Sequence, residues 1–182
     1  MNKILRYLLL AVMVIGFTMP AFGKAEAAKI AVLPLATQEQ GDTARRVWIE
    51  ECMDYFKFPA FDMVDDATLD KVLKEENYAV VGKQGPDEAF LKRVMDKTGA
   101  DMAIMMTVDE LSLEPTMPYG REDYYELVQK TRTMMVNNIS GKVSTHRVND
   151  SDIVEYAIIV RSDYMHDQFR NTVIREIKNV VK

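Results

Sequence analysis

Apolar residues along this chain follow two rhythms, and the changes between them mark where strand gives way to helix. Lys29 to Leu35 (KIAVLPL) is a short β-leaning apolar run ended by Pro34, the mark of a buried first strand. After a polar loop through Gly41, the residues Ala44, Val47, Trp48, Cys52 and Phe56 recur at helical spacing and predict a helix over about Asp42 to Lys57. Pro59 stops it, and Phe61 to Val64 reads as a second short strand. Asp66 is placed to cap a helix over Ala67 to Glu76 whose inner face is Leu69, Val72 and Leu73. A loop with Gly82 and Gly85 leads to Pro86, a favoured first helical residue, with Asp87 and Glu88 in the first turn. Phe90, Leu91, Val94 and Met95 form the buried stripe of that helix, and Gly99 supplies its stop. Ala100 to Val108 (ADMAIMMTV) is apolar throughout and reads as a central strand.

The second half is patterned differently. Glu114 to Asp123, with Pro115, Pro118 and Gly120, predicts an exposed loop. Tyr124 to Asn137 alternates like a strand, Ser140-Gly141 marks a tight turn, and Lys142 to Val148 alternates again. Asn149 to Asp152 breaks the pattern, and Ile153 to Val160 fits a strand or a helix. From Ser162 on, Met165, Phe169, Val173, Ile177 and Val181 share one helical face with Ile174 and Val180. The sum is an α/β fold: one three-layer-like domain over residues 29–182, a mixed β-sheet with flanking helices and a long C-terminal helix. No internal repeat or linker divides it.

The first 28 residues belong to another pattern. Lys3 and Arg6 precede the apolar stretch Leu8 to Phe17, followed by Pro20 and small residues. That order predicts a cleavable export leader over residues 1–28, cut between Ala27 and Ala28 or, alternatively, after Gly23. Thr18 and Pro20 interrupt the stretch before it reaches the ~20 apolar residues of a spanning helix. No cysteine stands near either cut. The product expected is therefore exported, periplasmic or extracellular, soluble and not lipidated, with no membrane insertion after cleavage.

Charge supports this picture. Removing Lys3, Arg6, Lys24 and Glu26 takes the net charge from −5 to −7, a sign that argues against nucleic acid and anionic membrane surfaces as partners. Cys52 is the only cysteine, so no intrachain disulfide forms. Its neighbours Trp48, Met53 and Phe56 predict a buried, inert thiol.

Candidate chemistry is sparse. His146 and His166 stand in no metal-ligand spacing and read as solvated or cap-like residues. Asp62, Asp65, Asp66 and Asp70 lack the glycine and spacing of a calcium loop. Ser140-Gly141-Lys142 fails as a phosphate loop because Val136 and Val143 stand where glycine and a hydroxyl are needed. The methionine pairs Met105-Met106 and Met134-Met135 point to opposite faces of their strands and cannot converge on one ion. Tyr119, Tyr124 and Tyr125 flank a loop with Met117 and two prolines, as partner-contact residues or as packing over a sheet edge. No catalytic set, metal site or cofactor is expected.

Three stretches carry a family resemblance: KIAVLPL (Lys29 to Leu35), FDMVDDATLDKVLKEE (Phe61 to Glu76) and LKRVMDKTGADMAIMMTV (Leu91 to Val108). Over roughly residues 29–110 the chain resembles the envelope α/β domain of the CsgG, PelC and LpoB group and, more distantly, the N-terminal domain of TolB. The resemblance implies an exported, non-enzymatic binding or assembly accessory of the bacterial cell envelope, acting on an envelope protein partner or by self-association. The alternative from another class is an exported hydrolase or small-ligand binder whose carboxylates are brought together by the fold.

Overall fold

The computed structural model describes residues 27–37, 42–117, 123–159 and 163–182. Strand β1 (Ala28–Val32) starts one residue before the KIAVLPL run and buries Ile30 and Ala31 completely. Pro34 offers no N–H to a ladder, and the chain pairs again only as β2 (Ala36–Thr37). Helix α1 (Asp42–Tyr55) turns Ala44, Val47, Trp48 and Cys52 inward, with Phe56 buried just past its end. Trp48 Nε1 donates to the Leu33 carbonyl at 2.7 Å, so the buried indole keeps its hydrogen bond.

Strand β3 (Phe61–Met63) leads into α2 (Asp66–Glu75), which buries Leu69, Val72 and Leu73 as its periodicity requires. The cap is Asp65 rather than Asp66. Its extended backbone lets the carboxylate accept from the Thr68 N–H at 2.9 Å, and Asp66 becomes the first helical residue. A short helix not expected from the sequence, α3 (Tyr78–Gln84), follows. It is held by tertiary contacts: the Tyr78 ring stacks on Phe90 at 5.7 Å and its hydroxyl donates to the Pro34 carbonyl at 2.5 Å. Helix α4 (Glu88–Thr98) begins after the cap Asp87 rather than at Pro86, and ends at Gly99, whose φ of +65° suits glycine.

The remaining strands are long: β4 (Met102–Thr116), β5 (Tyr124–Asn137) and β6 (Lys142–Glu155). The sheet runs β3-β1-β4-β5-β6, with β2 also on β4. Strands β1, β2, β3 and β4 pair in parallel, while β4-β5 and β5-β6 are antiparallel. The loop expected from Glu114 is thus strand as far as Thr116. Beyond Val108, β4 has no neighbour on its other side among the described residues, so Pro115 costs no ladder bond. Strand β6 likewise continues through Asn149 to Asp152, since an edge strand pairs with one neighbour and tolerates polar residues on both faces. The ambiguous stretch resolves into the end of β6 and a single turn, α5 (Tyr156–Ile159).

The C-terminal helix α6 (Tyr164–Val181) buries Phe169, Val173, Ile177 and Val180. With α1 it covers one face of the sheet over a core of Trp48, Phe56, Ile104 and Met106. Helices α2, α3 and α4 cover the other face over Leu33, Phe90, Leu91 and Met105. The molecule is α/β, a mixed sheet flanked by helices with a long C-terminal helix, as its hydrophobic pattern predicts. Among the described residues, no helix is long and apolar enough to cross a membrane.

Candidate functional site

Strand β5 presents its odd-numbered residues to α6. Leu127 and Met135 join the core there, but between them Gln129, Thr131 and Thr133 are polar and at least nine-tenths buried. None of Gln129 Oε1, Thr131 Oγ1 and Thr133 Oγ1 has a hydrogen-bond partner among the described residues. The facing stripe of α6 is interrupted in the same way by Thr172 and Glu176, both buried. A polar seam therefore runs between sheet and helix. Each buried unpartnered group costs about 1–3 kcal/mol, so the seam marks a place where stability gives way to another purpose or to bound water.

At one end of the seam lies Glu176, whose side chain is fully buried. Its Oε1 is hydrogen-bonded to His146 Nδ1, while Oε2 has no partner. Asn179 Nδ2 lies 3.3 Å from His146 Nε2. The His146 ring thus bridges Glu176 and Asn179 through its two nitrogens. Both ring nitrogens are therefore engaged by protein groups. His146, expected to be solvated, instead serves a buried carboxylate.

At the other end the seam opens into a pocket of about 400 Å³ between β6 and α6. Leu127, Gln129 and Thr172 contribute its buried lining; Asp150, Asp152 and Arg175 line its exposed side. Arg175 Nη2 pairs with Asp150 Oδ2 at 2.5 Å. Asp152 receives only the Tyr164 hydroxyl, at 3.2 Å, and no cation among the described residues pairs with it. In sequence these residues look like ordinary surface polar groups. The signal that reveals them is the polar triplet Gln129, Thr131, Thr133 on the buried parity of β5.

A second feature stands at the distal end of the long strands. Met117, Ile153, Tyr156 and Ile158 are 68%, 51%, 51% and 47% exposed, an apolar group at the tip where β4, β5 and β6 end. The Tyr156 ring stacks on Tyr125 at 5.8 Å, and its backbone N–H donates to the Asp123 carbonyl at 2.8 Å, which ties α5 to the start of β5. Of the three tyrosines singled out in the sequence, Tyr119 lies outside the described residues. Tyr124 and Tyr125 are consecutive in β5 and point to opposite faces. Tyr125 joins a stack with Tyr156, a residue not singled out in the sequence.

The other candidates fall into structural roles. Asp65 caps α2, and the Thr68 N–H holds its carboxyl below the usual range. Cys52 is fully buried; burial, and secondarily Glu51, pushes its thiol well up, so the folded protein holds it protonated. His166 is mostly covered rather than solvated, with Nε2 buried and unpartnered and Nδ1 3.9 Å from Asp167. Met105 and Met106 pack into opposite cores, as do Met134 and Met135. No group of three His, Cys, Asp or Glu side chains among the described residues could hold a metal ion.

No family model matches the chain, and no curated protein sequence matches it. Solved structures do match its fold. Lipoprotein GNA1162 from Neisseria meningitidis superposes with a TM-score of 0.51 at 12% identity, over 84% of this chain and 99% of that one. The hypothetical protein CT253 from Chlamydia trachomatis gives 0.50 at 10% identity, over 85% and 98%. The PelC dodecamer from Paraburkholderia phytofirmans gives 0.45 at 13% identity, over 88% and 91%. The expectation of a soluble, unlipidated product does not stand. GNA1162 is a lipoprotein, and a covalent lipid holds such proteins at a membrane. That expectation rested on the missing cysteine near the leader, whereas a body of this kind is one that occurs with a lipid anchor. What these likenesses establish is the fold, an α/β body shared with lipoproteins.

Proposed function

We propose that this chain is an exported, non-enzymatic accessory of the bacterial cell envelope that binds a protein partner, or its own copies, through the distal end of β4, β5 and β6. The exposed apolar tip carries the reading. Four of the ten exposed large hydrophobic side chains among the described residues belong to this end, and apolar groups gathered in this way mark contact surfaces. Tyr125, stacked beneath Tyr156, gives the tip a rigid aromatic base, and Tyr124 extends it to the opposite sheet face. Tyr119 is proposed to belong to the same surface. The narrower kinship with the CsgG, LpoB and TolB domains is part of this reading, and lipoproteins among the fold's solved examples support an envelope setting.

The proposed organisation is a leader over residues 1–28 followed by one α/β domain over 29–182. A cut between Ala27 and Ala28 suits β1, which begins at Ala28; the new amino group still donates to the Ala60 carbonyl, 3.2 Å away. N-terminal sequencing of the exported protein tests this, and a product starting at Met1 overturns it. The binding role is tested by crosslinking the protein in its native envelope and identifying what is recovered. A specific envelope protein or a discrete oligomer is expected. A monomer that recovers neither overturns the reading.

A further inference from the structure

The edges of the sheet are guarded unequally against pairing with another strand. Strand β3, at one end, is only 3 residues long. The free side of β4 beyond Val108 is bent by a bulge between Val108 and Glu110 and carries Pro115. Short strands, bulges and prolines are the usual devices that keep an edge from templating a partner. The outer edge of β6 has none of them. It runs 14 residues, Lys142–Glu155, without proline or glycine, and its ladder with β5 keeps one register from end to end. Among the described residues no strand pairs with its outer side.

Charge is the guard that remains on β6, and its order along the strand turns it into an attraction. Lys142 and Arg147 lie in the first half, Asp150, Asp152 and Glu155 in the second. A second β6 laid parallel would set like charges beside each other, which destabilises a pair. Laid antiparallel, it sets the basic half of each strand along the acidic half of the other. Directly opposed residues then share a sheet face. Even-numbered residues of β6 face α6, where His146 meets Glu176 and Asp150 meets Arg175, and odd-numbered residues face away. A two-fold axis at Val148 sets Val143 opposite Ile153 at both ends of the junction. These side chains are 37% and 51% exposed, and the pairing covers them. Thr145 falls opposite Ser151 on the same face, and on the α6 face Asp152 lies diagonal to Lys142. Moving the axis by one residue loses this match, because Arg147 then opposes its own copy or Val143 opposes Glu155.

We propose that the outer edge of β6 binds a second copy of this chain, antiparallel about a two-fold axis at Val148, joining two sheets into one. The occupant is the chain itself because the edge is complementary to its own reverse, in charge and in its one apolar pair, as an isologous contact requires. Backbone hydrogen bonds along the junction supply the affinity, and the Val143–Ile153 pairs fix its register. The junction is a different surface from the distal tip, with which it shares Ile153 alone.

Sedimentation equilibrium of the purified exported protein tests this, and a dimer is expected. Val143→Asp and Ile153→Lys each set a charge against an apolar side chain at both ends, and each should weaken the dimer about tenfold or more. Mixed in equal amounts, the two variants should dimerise again, since one end then pairs Asp with Lys and the other keeps Val143 against Ile153. Met117→Ser, which alters the tip alone, should leave the dimer as it is. A monomeric wild type, a Val143→Asp dimer as tight as wild type, or a mixture that stays monomeric would overturn the proposal. A dimer that Met117→Ser dissolves and Val143→Asp spares belongs to the tip; it too overturns the proposal, while the tip reading stands. Should a charged variant fail to fold, Thr145→Cys mixed with Ser151→Cys decides the matter: oxidation should link the two chains, and the absence of a link counts against the junction.

Discussion

Glu176 shows most clearly what a single side chain does in this molecule. It stands on the apolar stripe of α6 beside Val173, Ile177 and Val180, fully buried, with one carboxylate oxygen bound to His146 and the other unpartnered. Removing a buried carboxylate from water costs several kcal/mol unless hydrogen bonds replace the water. His146→Leu therefore strands Glu176 and should lower stability by about 2–4 kcal/mol. The double variant His146→Leu, Glu176→Leu removes both needs at once and should recover most of that loss. Urea unfolding of the four proteins of the cycle measures it, and a His146→Leu midpoint equal to wild type would refute the assignment. Cys52 offers a simpler case. Buried in the core with its thiol pushed up, it should resist a thiol reagent in the native protein and react fully once urea unfolds the chain. Rapid labelling without denaturant would contradict that burial.

At the scale of elements, helices α2 and α4 are joined by charge as well as by their apolar faces. Glu76, just past α2, receives Arg93 at 2.9 Å and Lys97 at 2.9 Å from α4. The Arg93 and then the Lys97 hydrogen bonds hold its carboxyl below the ordinary range. A carboxyl depressed in the folded state stabilises the fold above its unfolded pKa of about 4.3, and the benefit vanishes as pH falls through the folded value. Glu76→Gln should accordingly be less stable than wild type at pH 7, and the gap should close between about pH 5 and pH 3. A gap that stays constant across that window would show the charge to be irrelevant. Elements like α2 and α4 were legible from period and stop signal, although Asp65 and Asp87 rather than the expected residues begin them: Leu69, Val72 and Leu73 recur at helical spacing, and Gly99 ends α4. The misses have the opposite character. Helix α3 exists through Tyr78's reach to Phe90 and Pro34, contacts far apart in sequence. Pro115 reads as a breaker until the topology leaves its side of β4 unpaired. The pocket escaped notice for the same reason: Gln129, Asp150, Asp152 and Arg175 are separated along the chain and meet only when β6 is laid beside β5 under α6.

The whole molecule is built asymmetrically, and this makes its proposed contact surface testable. Strands of 14 or 15 residues reach about 45 Å. The core beneath α1 and α6 follows them outward to Leu113, Leu127 and Val154. The opposite core, beneath α2, α3 and α4, goes no further than Ala36, Met105 and Met134 among the described residues. Among the described residues no helix covers one sheet face of the distal end, and Ile153 is exposed there, beside Glu126 in the ladder. Side chains that only face water contribute little to folding, so Met117→Ser combined with Ile153→Ser should change stability by no more than about 0.5 kcal/mol per site. Phe169→Ala, which empties a fully buried core position beneath α6, should cost about 3–5 kcal/mol. If the tip is the docking surface, the first variant folds as wild type yet loses its crosslinked partner or its oligomer. A milder core substitution such as Ile177→Val, at about 0.5–1.5 kcal/mol, keeps both. Partner recovery that follows stability across these variants, instead of following the tip, would remove the distal end from the binding surface.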